Sequence, residues 1–329
     1  MTKKLIFSHE NDIDGLGCVV LSKLAFEKVD YILVPNINKL ETTFRKCVEQ
    51  HKLNEYEDIY VTDLALYDPS LTMVAKSSLK DKVHIFDHHK SAIDDGMNRY
   101  QFTKILENDS QEKKCGTSLF YEYLIQNDLI MNTPAISKFV ELTRLEDTWE
   151  WKNSQNLGQQ AHDLAILFNA IGQKKYISDM ITKLSNYPSF FELSKEENIL
   201  IQKKKEEYNK LLKSIILSAE YFFDENNNKF GMVYADYEYR NELAEYIKHQ
   251  GNQEKLKYFI VVALNKGEFG QKSYRSIDES FDVVEIAMLH GGGGHPKSAS
   301  VNITKDQKLK AMELPKREGL KYLADSVSK

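Results

Sequence analysis

The sequence predicts an α/β protein built from two domains that a long helix joins. Three observations lead to this fold class: short apolar runs alternate with helical stretches through the first ninety residues, a highly charged helix follows Ser194, and a strand-rich pattern returns after residue 230. The chain has 329 residues, a length typical of about two domains. We therefore expect a parallel-sheet domain over 1–190, a helical linker over 191–222 and a smaller α/β domain over 223–329.

The first domain is predicted from four strand candidates that helices separate. The strands are 5–7, 31–34, 59–62 and 83–86, and the helices are 15–26, 39–51 and one that opens at Asp68-Pro69 with Asp68 as its N-cap. Strands that alternate with helices of this length form βαβ units and hence a parallel sheet. Residues 117–184 have a mostly helical pattern and belong to the same domain.

A capping-box pattern at residues 194–197 opens the linker helix, which is expected to run to about residue 217 and to span about 35 Å. Its lysines at 203–205 are interpreted as a solvated face. Beyond it, the predicted strands are 230–234, 259–264, 271–276 and 299–303, with a helix over 241–249 and a turn over 224–229. These elements make up the second α/β domain.

The composition is that of a globular protein, with 42% hydrophobic and 28% charged residues. No apolar run approaches the roughly 20 residues of a membrane span, and the first apolar stretch is too short for a signal peptide. The three cysteines, Cys18, Cys47 and Cys115, are an odd number without a close pair, which argues against a disulfide scaffold and a thiolate zinc site. We expect a cytoplasmic protein without a membrane partner.

The formal net charge of −5 bears on nucleic-acid binding. A protein that binds long duplexes through their phosphates usually presents a strongly basic surface. Mild acidity still permits a local basic groove. We therefore expect no stable binding of long duplexes.

Metal-type side chains cluster directly after the predicted strands. The first strand is followed by His9, Asp12 and Asp14, the third by Asp63, and the fourth by Asp87, His88 and His89. Because ligands bind at the carboxyl ends of strands in open α/β sheets, three separate segments deliver these side chains to one edge. Imidazole and carboxylate ligands suit Mn²⁺, Fe²⁺, Co²⁺ or Zn²⁺, and two such ions can activate water and clamp a phosphoester.

Each of these residues also has a purely structural interpretation. Asp12 and Asp14 could cap the helix that follows, His9 could be a loop histidine and Asp63 could cap a turn. We interpret His84 as a packed residue inside its strand rather than a ligand. The remaining histidines outside the motifs, at 51, 162 and 249, have no supporting partners in the sequence.

The second domain carries a run of four glycines, Gly291 to Gly294, followed by His295. Glycines let a backbone approach a phosphate or base closely and expose its N–H groups. His295 could then contact the phosphate or nucleotide, with His290 as a weaker candidate, and Arg275 could grip a second phosphate with a bidentate fork. The competing interpretation of the glycine run is a flexible turn.

Together these motifs resemble the DHH–DHHA1 phosphoesterases, and in particular their nanoRNase-like members, which are oligoribonucleases and nucleotide phosphatases. The chain contains SHENDIDGLG, VTDLAL, FDHHKS and RLEDTWEW in its first domain, and SYRS with HGGGGHPKSAS in its second. The resemblance covers nearly the whole chain. FDHH followed at a distance by GGGGH is a specific combination.

The resemblance implies a role for each candidate residue. His9 and Asp12 would bind one metal ion, Asp14, His88 and Asp147 would bind a second, and Asp63 would bridge them. Asp87 would orient His88 or approach the metals, and His89 would contact the scissile phosphate. Arg275, Gly292, Gly293, Gly294 and His295 would bind the substrate. The family usually uses Mn²⁺, and many relatives have one more residue between the first histidine and the first aspartate.

The expected activity is metal-dependent hydrolysis of short oligoribonucleotides or small nucleotides such as pApA and pAp, by attack of hydroxide on phosphorus. The second domain would hold the nucleotide, and the chain could form a homodimer. The alternatives are a single-strand-specific exonuclease, which would normally need an added binding domain such as an OB-fold, and a non-catalytic nucleotide-binding regulator. An inorganic pyrophosphatase would share the metal motifs but not the glycine motif with SYRS.

Overall fold

The computed structural model describes residues 3–89, 92–93, 96–106, 113–265 and 270–325, so Lys90 and Ser91 of the FDHHKS motif lie outside the described residues. The chain forms two compact units, Met1–Lys204 and Lys205–Lys329. Each unit has its own sheet and its own apolar clusters.

The first unit contains a five-stranded, wholly parallel sheet in the order β2-β1-β3-β4-β5. Its strands are β1 Lys4–His9, β2 Val29–Val34, β3 Asp58–Thr62, β4 Val83–Asp87 and β5 Thr103–Ile105. The predicted parallel sheet is confirmed, and each predicted strand extends one or two residues further at one or both ends. The sequence did not predict β5, because three residues are too few to show a periodic pattern.

Strand β1 is buried on both faces of this sheet. Leu5 and Phe7 belong to one apolar cluster and Ile6 to another, because successive side chains of a strand point to opposite faces. A parallel strand covered on both faces therefore reads as a continuous apolar run rather than an alternating one. With both faces covered, the strand ends are the place where this unit can bind a ligand.

The helices in the described part of the first unit surround the sheet. They are α1 Ile13–Ala25, α2 Ile37–Glu49, α3 Asp68–Ala75, α4 Gly116–Gln126, α5 Pro134–Asp147, α6 Gly158–Ile171 and α7 Gln173–Asn186, with 3₁₀ helices at Lys52–Glu55, Ser78–Asp81, Met97–Arg99 and Glu150–Lys152. The predicted N-cap role of Asp68 is wrong. Tyr67 holds that position in an extended conformation, and Asp68 lies in the first turn, where its charge complements the helix dipole.

The predicted capping box opens helix α8, Lys195–Ile216. The Glu197 N–H donates to Ser194 Oγ at 3.1 Å, and the Ser194 N–H donates to Glu197 Oε2 at 2.5 Å. Both parts of the predicted reciprocal cap are therefore confirmed. The helix has 22 residues and contains the division between the two units.

The second unit contains a six-stranded mixed sheet in the order β10-β11-β9-β8-β7-β6. Its strands are β6 Glu220–Phe223, β7 Lys229–Tyr234, β8 Tyr258–Ala263, β9 Gln271–Ser276, β10 Gly293–His295 and β11 Ser298–Asn302. β7 and β8 are parallel, and the other neighbours are antiparallel. The sequence did not predict β6 or β10. Glycine is a residue type that is depleted in strands, so the glycine run of β10 does not look like a strand in the sequence.

The predicted turn over 224–229 joins β6 and β7, and Asp224 Oδ1 accepts hydrogen bonds from the N–H groups of Asn226 and Asn228. The helices in the described part of the second unit are α9 Arg240–His249, α10 Val284–Leu289, α11 Lys305–Glu313 and α12 Lys316–Asp325, with a 3₁₀ helix at Tyr237–Tyr239. Across the described ranges of the chain, none of the helices combines the length and the apolar character that a membrane crossing requires.

Candidate functional site

Three strand ends bring the predicted metal-type residues to one edge of the first sheet. Strand β1 ends at His9, β3 leads directly into Asp63, and β4 ends at Asp87. Because β1 and β4 lie on either side of β3 and run parallel to it, their carboxyl ends meet. Asp12 is the N-cap of α1, where its Oδ1 accepts the Gly15 N–H at 3.0 Å. The capping role and a ligand role are compatible, since Oδ2 points elsewhere.

His9, Asp12 and Asp63 form the first group of candidate ligands, with one ligand atom from each lying within 4.8 Å of the others. His9 Nδ1 lies 2.6 Å from Asp12 Oδ2 and 3.5 Å from Asp63 Oδ2. The short spacing of His9 and Asp12 therefore does not keep their side chains apart. Burial opposes protonation of His9, but its hydrogen bond with Asp12 and the nearby Asp63 carboxylate outweigh burial and raise its pKa to about 10.

Asp14, His88 and Asp147 form the second group, again within 4.8 Å of one another. His88 Nε2 lies 3.8 Å from Asp14 Oδ2 and 3.3 Å from Asp147 Oδ2. Asp147 is the last residue of helix α5, so it does not come from one of the strand ends that the sequence pattern indicated. The structure thus brings a residue from a distant helix to the edge formed by the strands.

Asp63 stands between the two groups. Its Oδ2 faces His9, and its Oδ1 lies 3.4 Å from His88 Nε2. The residue is 1% exposed, and its backbone has a φ of 57°, in the left-handed region that non-glycine residues seldom occupy. A single carboxylate directed at both groups is the arrangement that a bridging ligand requires.

The donor set of these two groups fits divalent cations. Asp63 Oδ2 and Asp147 Oδ2 are buried and accept no hydrogen bond from any residue that the structure describes. Burial, together with the nearby charges of Asp14 and Asp12, raises the pKa of Asp63 well above its usual value. Burial and Asp14 likewise raise the pKa of Asp147 to about 7. Bound cations would stabilise the ionised carboxylates.

Asp14 is held by the N-terminus of helix α4. Its two carboxylate oxygens accept the N–H groups of Gly116 and Thr117, each at 2.7 Å. Thr117 Oγ1 also donates to the Asp14 carbonyl oxygen at 2.5 Å. Sequence reasoning missed Gly116 and Thr117, because nothing near them in the chain links them to Asp14.

Asp87 orients His89 and the backbone beside it. Asp87 Oδ1 accepts the His89 ring Nδ1–H at 2.7 Å and the His88 backbone N–H at 2.8 Å. Asp87 was expected to orient His88 or to approach the metals. It accepts the His88 backbone N–H, the His88 ring turns towards Asp63 and Asp147, and Asp87 also groups with Asp63, His88 and His89 as candidate ligands within 4.8 Å of one another. The hydrogen bond with Asp87 outweighs burial and raises the pKa of His89. Protonated His89 can donate to an anionic oxygen.

Two histidines outside the candidate ligand groups, His84 and His162, make packing contacts with aromatic rings. His84 packs against Tyr60, with ring centroids 5.4 Å apart, so its interpretation as a packed residue is confirmed. The sequence showed no supporting partner for His162, and in the structure its Nδ1 lies 3.2 Å from Glu146 Oε1 and its ring stacks on Trp151 at 4.1 Å. Those partners are distant in the chain and became visible only in the fold.

The second unit contains a cavity of about 180 Å³ beside the glycine run. Its lining residues are Tyr237, Arg240, Ser273, Arg275, Gly293, Gly294, Ser298, Ala299 and Ser300. Burial, and secondarily the charge of Arg240, lowers the pKa of Arg275 to about 10. Ser273 Oγ is buried and has no hydrogen-bond partner among the described residues. Two guanidinium groups near an unpartnered hydroxyl suit an anionic oxygen-rich ligand.

Arg275 does not present the bidentate fork that was expected. Its Nε donates to Asn241 Oδ1 at 2.7 Å and its Nη1 donates to the Tyr274 carbonyl oxygen at 2.8 Å, so protein oxygens already use two of its nitrogens. Arg240, which stacks on Tyr237 at 3.8 Å, supplies the second guanidinium. Sequence reasoning missed Arg240 and Ser273, because only the sheet and α9 bring them beside Arg275.

The glycine run is not an open phosphate loop throughout. Gly293–His295 form β10. A Cβ atom at Gly292 would lie 2.1 Å from Ser300 O, and one at Gly294 would lie 2.4 Å from Ser298 O, so either would collide with the backbone of β11. These two glycines therefore serve strand packing. Gly293 has no atom within 4 Å of where its Cβ would lie and faces the cavity. His295 is exposed.

Comparison with known proteins identified a curated relative. No family model matches the chain. The chain is 32% identical over 301 residues to oligoribonuclease NrnB of Bacillus subtilis (strain 168), covering 91% of this chain and 72% of that protein. Among solved structures it resembles the DHH domain of a member of a family of ribosomal proteins, with a TM-score of 0.57, 14% identity, and coverage of 100% of this chain and 87% of that one. That likeness concerns the fold alone.

Proposed function

The chain belongs to the DHH–DHHA1 phosphoesterase family, with oligoribonuclease NrnB as a relative along most of its length, and from this premise we propose that it hydrolyses short oligonucleotides and small nucleotides. It is a hydrolase of phosphoester bonds. The observation that carries the proposal is the position of Asp63, whose two oxygens face His9 on one side and His88 on the other. This geometry supports a centre for two divalent ions.

We assign the ligands from the two groups. His9 and Asp12 would hold one ion, Asp14, His88 and Asp147 the other, and Asp63 both. When bound, such ions lower the pKa of water and offset the negative charge that develops on a phosphoester. The carboxylate-rich donor set favours Mn²⁺ or Mg²⁺, and Mn²⁺ is our proposal. The three free cysteines accord with a reducing compartment, and a cytoplasmic location forms part of the proposal.

The chain's own residues prepare this centre in two ways. The N–H groups of Gly116 and Thr117 fix both oxygens of Asp14, so its carboxylate is held in place before any ion arrives. Asp87 holds the His89 ring through Nδ1, which leaves Nε2 as the atom that can donate to a phosphate oxygen. His89 is therefore our candidate for contact with the substrate phosphate.

We propose that the cavity of the second unit binds a phosphate and the adjoining nucleoside of the substrate. Arg240, Arg275 and Ser273 offer donors there, and Gly293 leaves the cavity open for close approach. A substrate with a nucleoside and a separate phosphate group matches these donors. Inorganic pyrophosphate lacks the nucleoside, so it should be a poor substrate.

The test is hydrolysis of pApA, pAp, long single-stranded DNA and pyrophosphate side by side with Mn²⁺. We expect hydrolysis of pApA or pAp and little hydrolysis of long single-stranded DNA or pyrophosphate. Preference for long single-stranded DNA would indicate an exonuclease instead. Loss of all four activities in a metal-loaded protein would favour a nucleotide-binding regulator.

Asp63→Ala should abolish metal-dependent turnover while the chain stays folded, because it removes the carboxylate shared by both groups. Asp128→Ala is the matched control, since Asp128 also has a left-handed backbone, with a φ of 55°, but is exposed and lies outside the candidate centre. The control should retain activity. Full activity in Asp63→Ala would contradict the assignment.

A further inference from the structure

Trp149 is an exposed aromatic residue two positions after the candidate ligand Asp147. It is 53% exposed, and its backbone φ is 63°, in the left-handed region. A bulky residue is strained in that region, and such strain tends to occur at functional sites. Packing does not require an indole at this position, and the backbone conformation disfavours one.

A hydrogen-bonded turn imposes this conformation. The Thr148 N–H and Oγ1–H both donate to the Arg144 carbonyl oxygen, at 3.0 and 2.8 Å, and the Trp149 N–H donates to Glu146 O at 3.2 Å. The Arg144 side chain is buried and contacts Glu150 on the far side of the turn. Because Arg144 joins both sides of the turn, a rigid support presents the indole.

Trp149 also lies close to the candidate metal centre along the chain. Its Cα is at most about 7 Å from that of Asp147, whose Oδ2 lies 3.3 Å from His88 Nε2. The Lys152 ammonium stands over the indole, 4.8 Å from the ring centroid. An aromatic face beside a lysine is typical of sites that bind single-stranded nucleic acid, where bases stack and the cation meets the backbone.

We propose that Trp149 stacks on the base of a nucleotide next to the phosphodiester that is cleaved. The inference rests on the proposed function, because it adds a contact to the same substrate. Every base offers a π-face, so this contact strengthens binding without selecting a base. Trp149 is thus a substrate-binding residue of the first unit, separate from the donors of the second.

The test compares three variants with pApA as substrate. Trp149→Ala and Trp149→Gly should raise KM roughly tenfold or more with little change in kcat, and Trp149→Phe should restore most of the loss. Glycine accepts a left-handed backbone, so Trp149→Gly should also keep or raise Tm. An indole needed only for the fold would instead lower Tm in that variant.

Substrates that lack one base locate the contact. With two abasic dinucleotides, each missing a different base, Trp149→Ala should raise KM for one and leave it unchanged for the other. Phe190→Ala is the matched control, because Phe190 is 54% exposed and lies in the same unit. An unchanged KM in Trp149→Ala, or an equal rise with both abasic substrates, would overturn the inference.

Equilibrium dialysis of labelled pApA with EDTA-treated protein separates this inference from the proposed function. If the wild type binds pApA but hydrolyses no short nucleotide with Mn²⁺, the proposed function fails. The ratio of Kd values between the wild type and Trp149→Ala then still decides the inference: a tenfold rise supports stacking, and no rise refutes it.

Discussion

At the residue scale, burial changes the charge behaviour of individual side chains, and Lys272 in β9 is a clear case outside the candidate metal centre. Lys272 is 3% exposed, and its Nζ donates to the Leu323 carbonyl oxygen at 3.1 Å. Leu323 lies in the last turn of α12, where a cation complements the helix dipole. A single carbonyl oxygen does not replace the hydration that the ammonium group loses on burial. Burial therefore lowers the pKa of Lys272 to about 8.

The lowered pKa predicts that the stability of the second unit depends on pH. As the pH rises from about 8 to 10.5, the folded state releases the Lys272 proton while the unfolded state still holds it. The free energy of unfolding therefore rises across this window by on the order of 3 kcal/mol. Below this window, the protein bears the full cost of burying the charged Lys272 ammonium. We expect Lys272→Met to increase the free energy of unfolding at pH 7, measured by urea denaturation.

The control for this prediction is Lys310→Met, because Lys310 is an exposed lysine of the same unit. It should leave both the stability at pH 7 and its pH dependence unchanged. A rise in stability between pH 8 and 10.5 that persists in Lys272→Met would show that another group causes it.

At the scale of elements, helix α4 supports the candidate metal centre through its N-terminus. Its first N–H groups donate to both oxygens of Asp14, and the free N–H groups at a helix N-terminus commonly bind anionic groups. This close approach depends on Gly116, where a Cβ atom would lie 2.8 Å from Asp63 Cβ and 2.9 Å from its backbone nitrogen.

We expect Gly116→Ala to weaken metal binding roughly 10- to 100-fold, because either α4 or Asp63 must shift and the carboxylates lose their alignment. Isothermal titration with Mn²⁺ measures the effect. Gly293→Ala provides the comparison, since its Cβ would meet no atom within 4 Å and should leave both metal affinity and Tm unchanged. Wild-type metal affinity in Gly116→Ala would refute this role of the helix.

At the scale of the whole molecule, the two units carry sites of opposite charge. The first unit gathers the carboxylates of Asp12, Asp14, Asp63 and Asp147 with two histidines, and the second gathers two guanidinium groups around a small cavity. Carboxylates suit cations and guanidinium groups suit phosphates, so we infer that the first unit carries the chemistry and the second recognises the separate phosphate of the substrate.

This division predicts that recognition can be lost while the chemistry remains. Arg240→Ala should raise KM for pApA about tenfold or more, because a charged donor to the phosphate is lost. Hydrolysis of bis(p-nitrophenyl) phosphate, which lacks a nucleoside and a separate phosphate, should stay near wild type, as should Mn²⁺ affinity. Equal losses of hydrolytic activity on pApA and on bis(p-nitrophenyl) phosphate would argue against this division of roles between the units. Arg240→Lys keeps the charge and should show a smaller effect.

The local features of this chain could be predicted from its sequence because they depend on neighbours along the backbone. Apolar runs between helical stretches predicted four of the five strands of the first sheet, and SKEE at 194–197 predicted the cap of α8. Polar residues placed just after strands predicted that His9, Asp63 and Asp87 would share one edge. Strand direction in a parallel sheet makes that convergence a topological consequence.

Packing alone decided the contacts between segments far apart in the chain. Only the packed helices show that Gly116 and Thr117 hold Asp14, and only the sheet of the second unit shows Arg240 and Ser273 beside Arg275. The sequence by itself determined the fold class and the kinds of side chain at the strand ends. The tertiary structure decided which atoms face one another, because hydrogen bonds and burial depend on distances that no local pattern encodes.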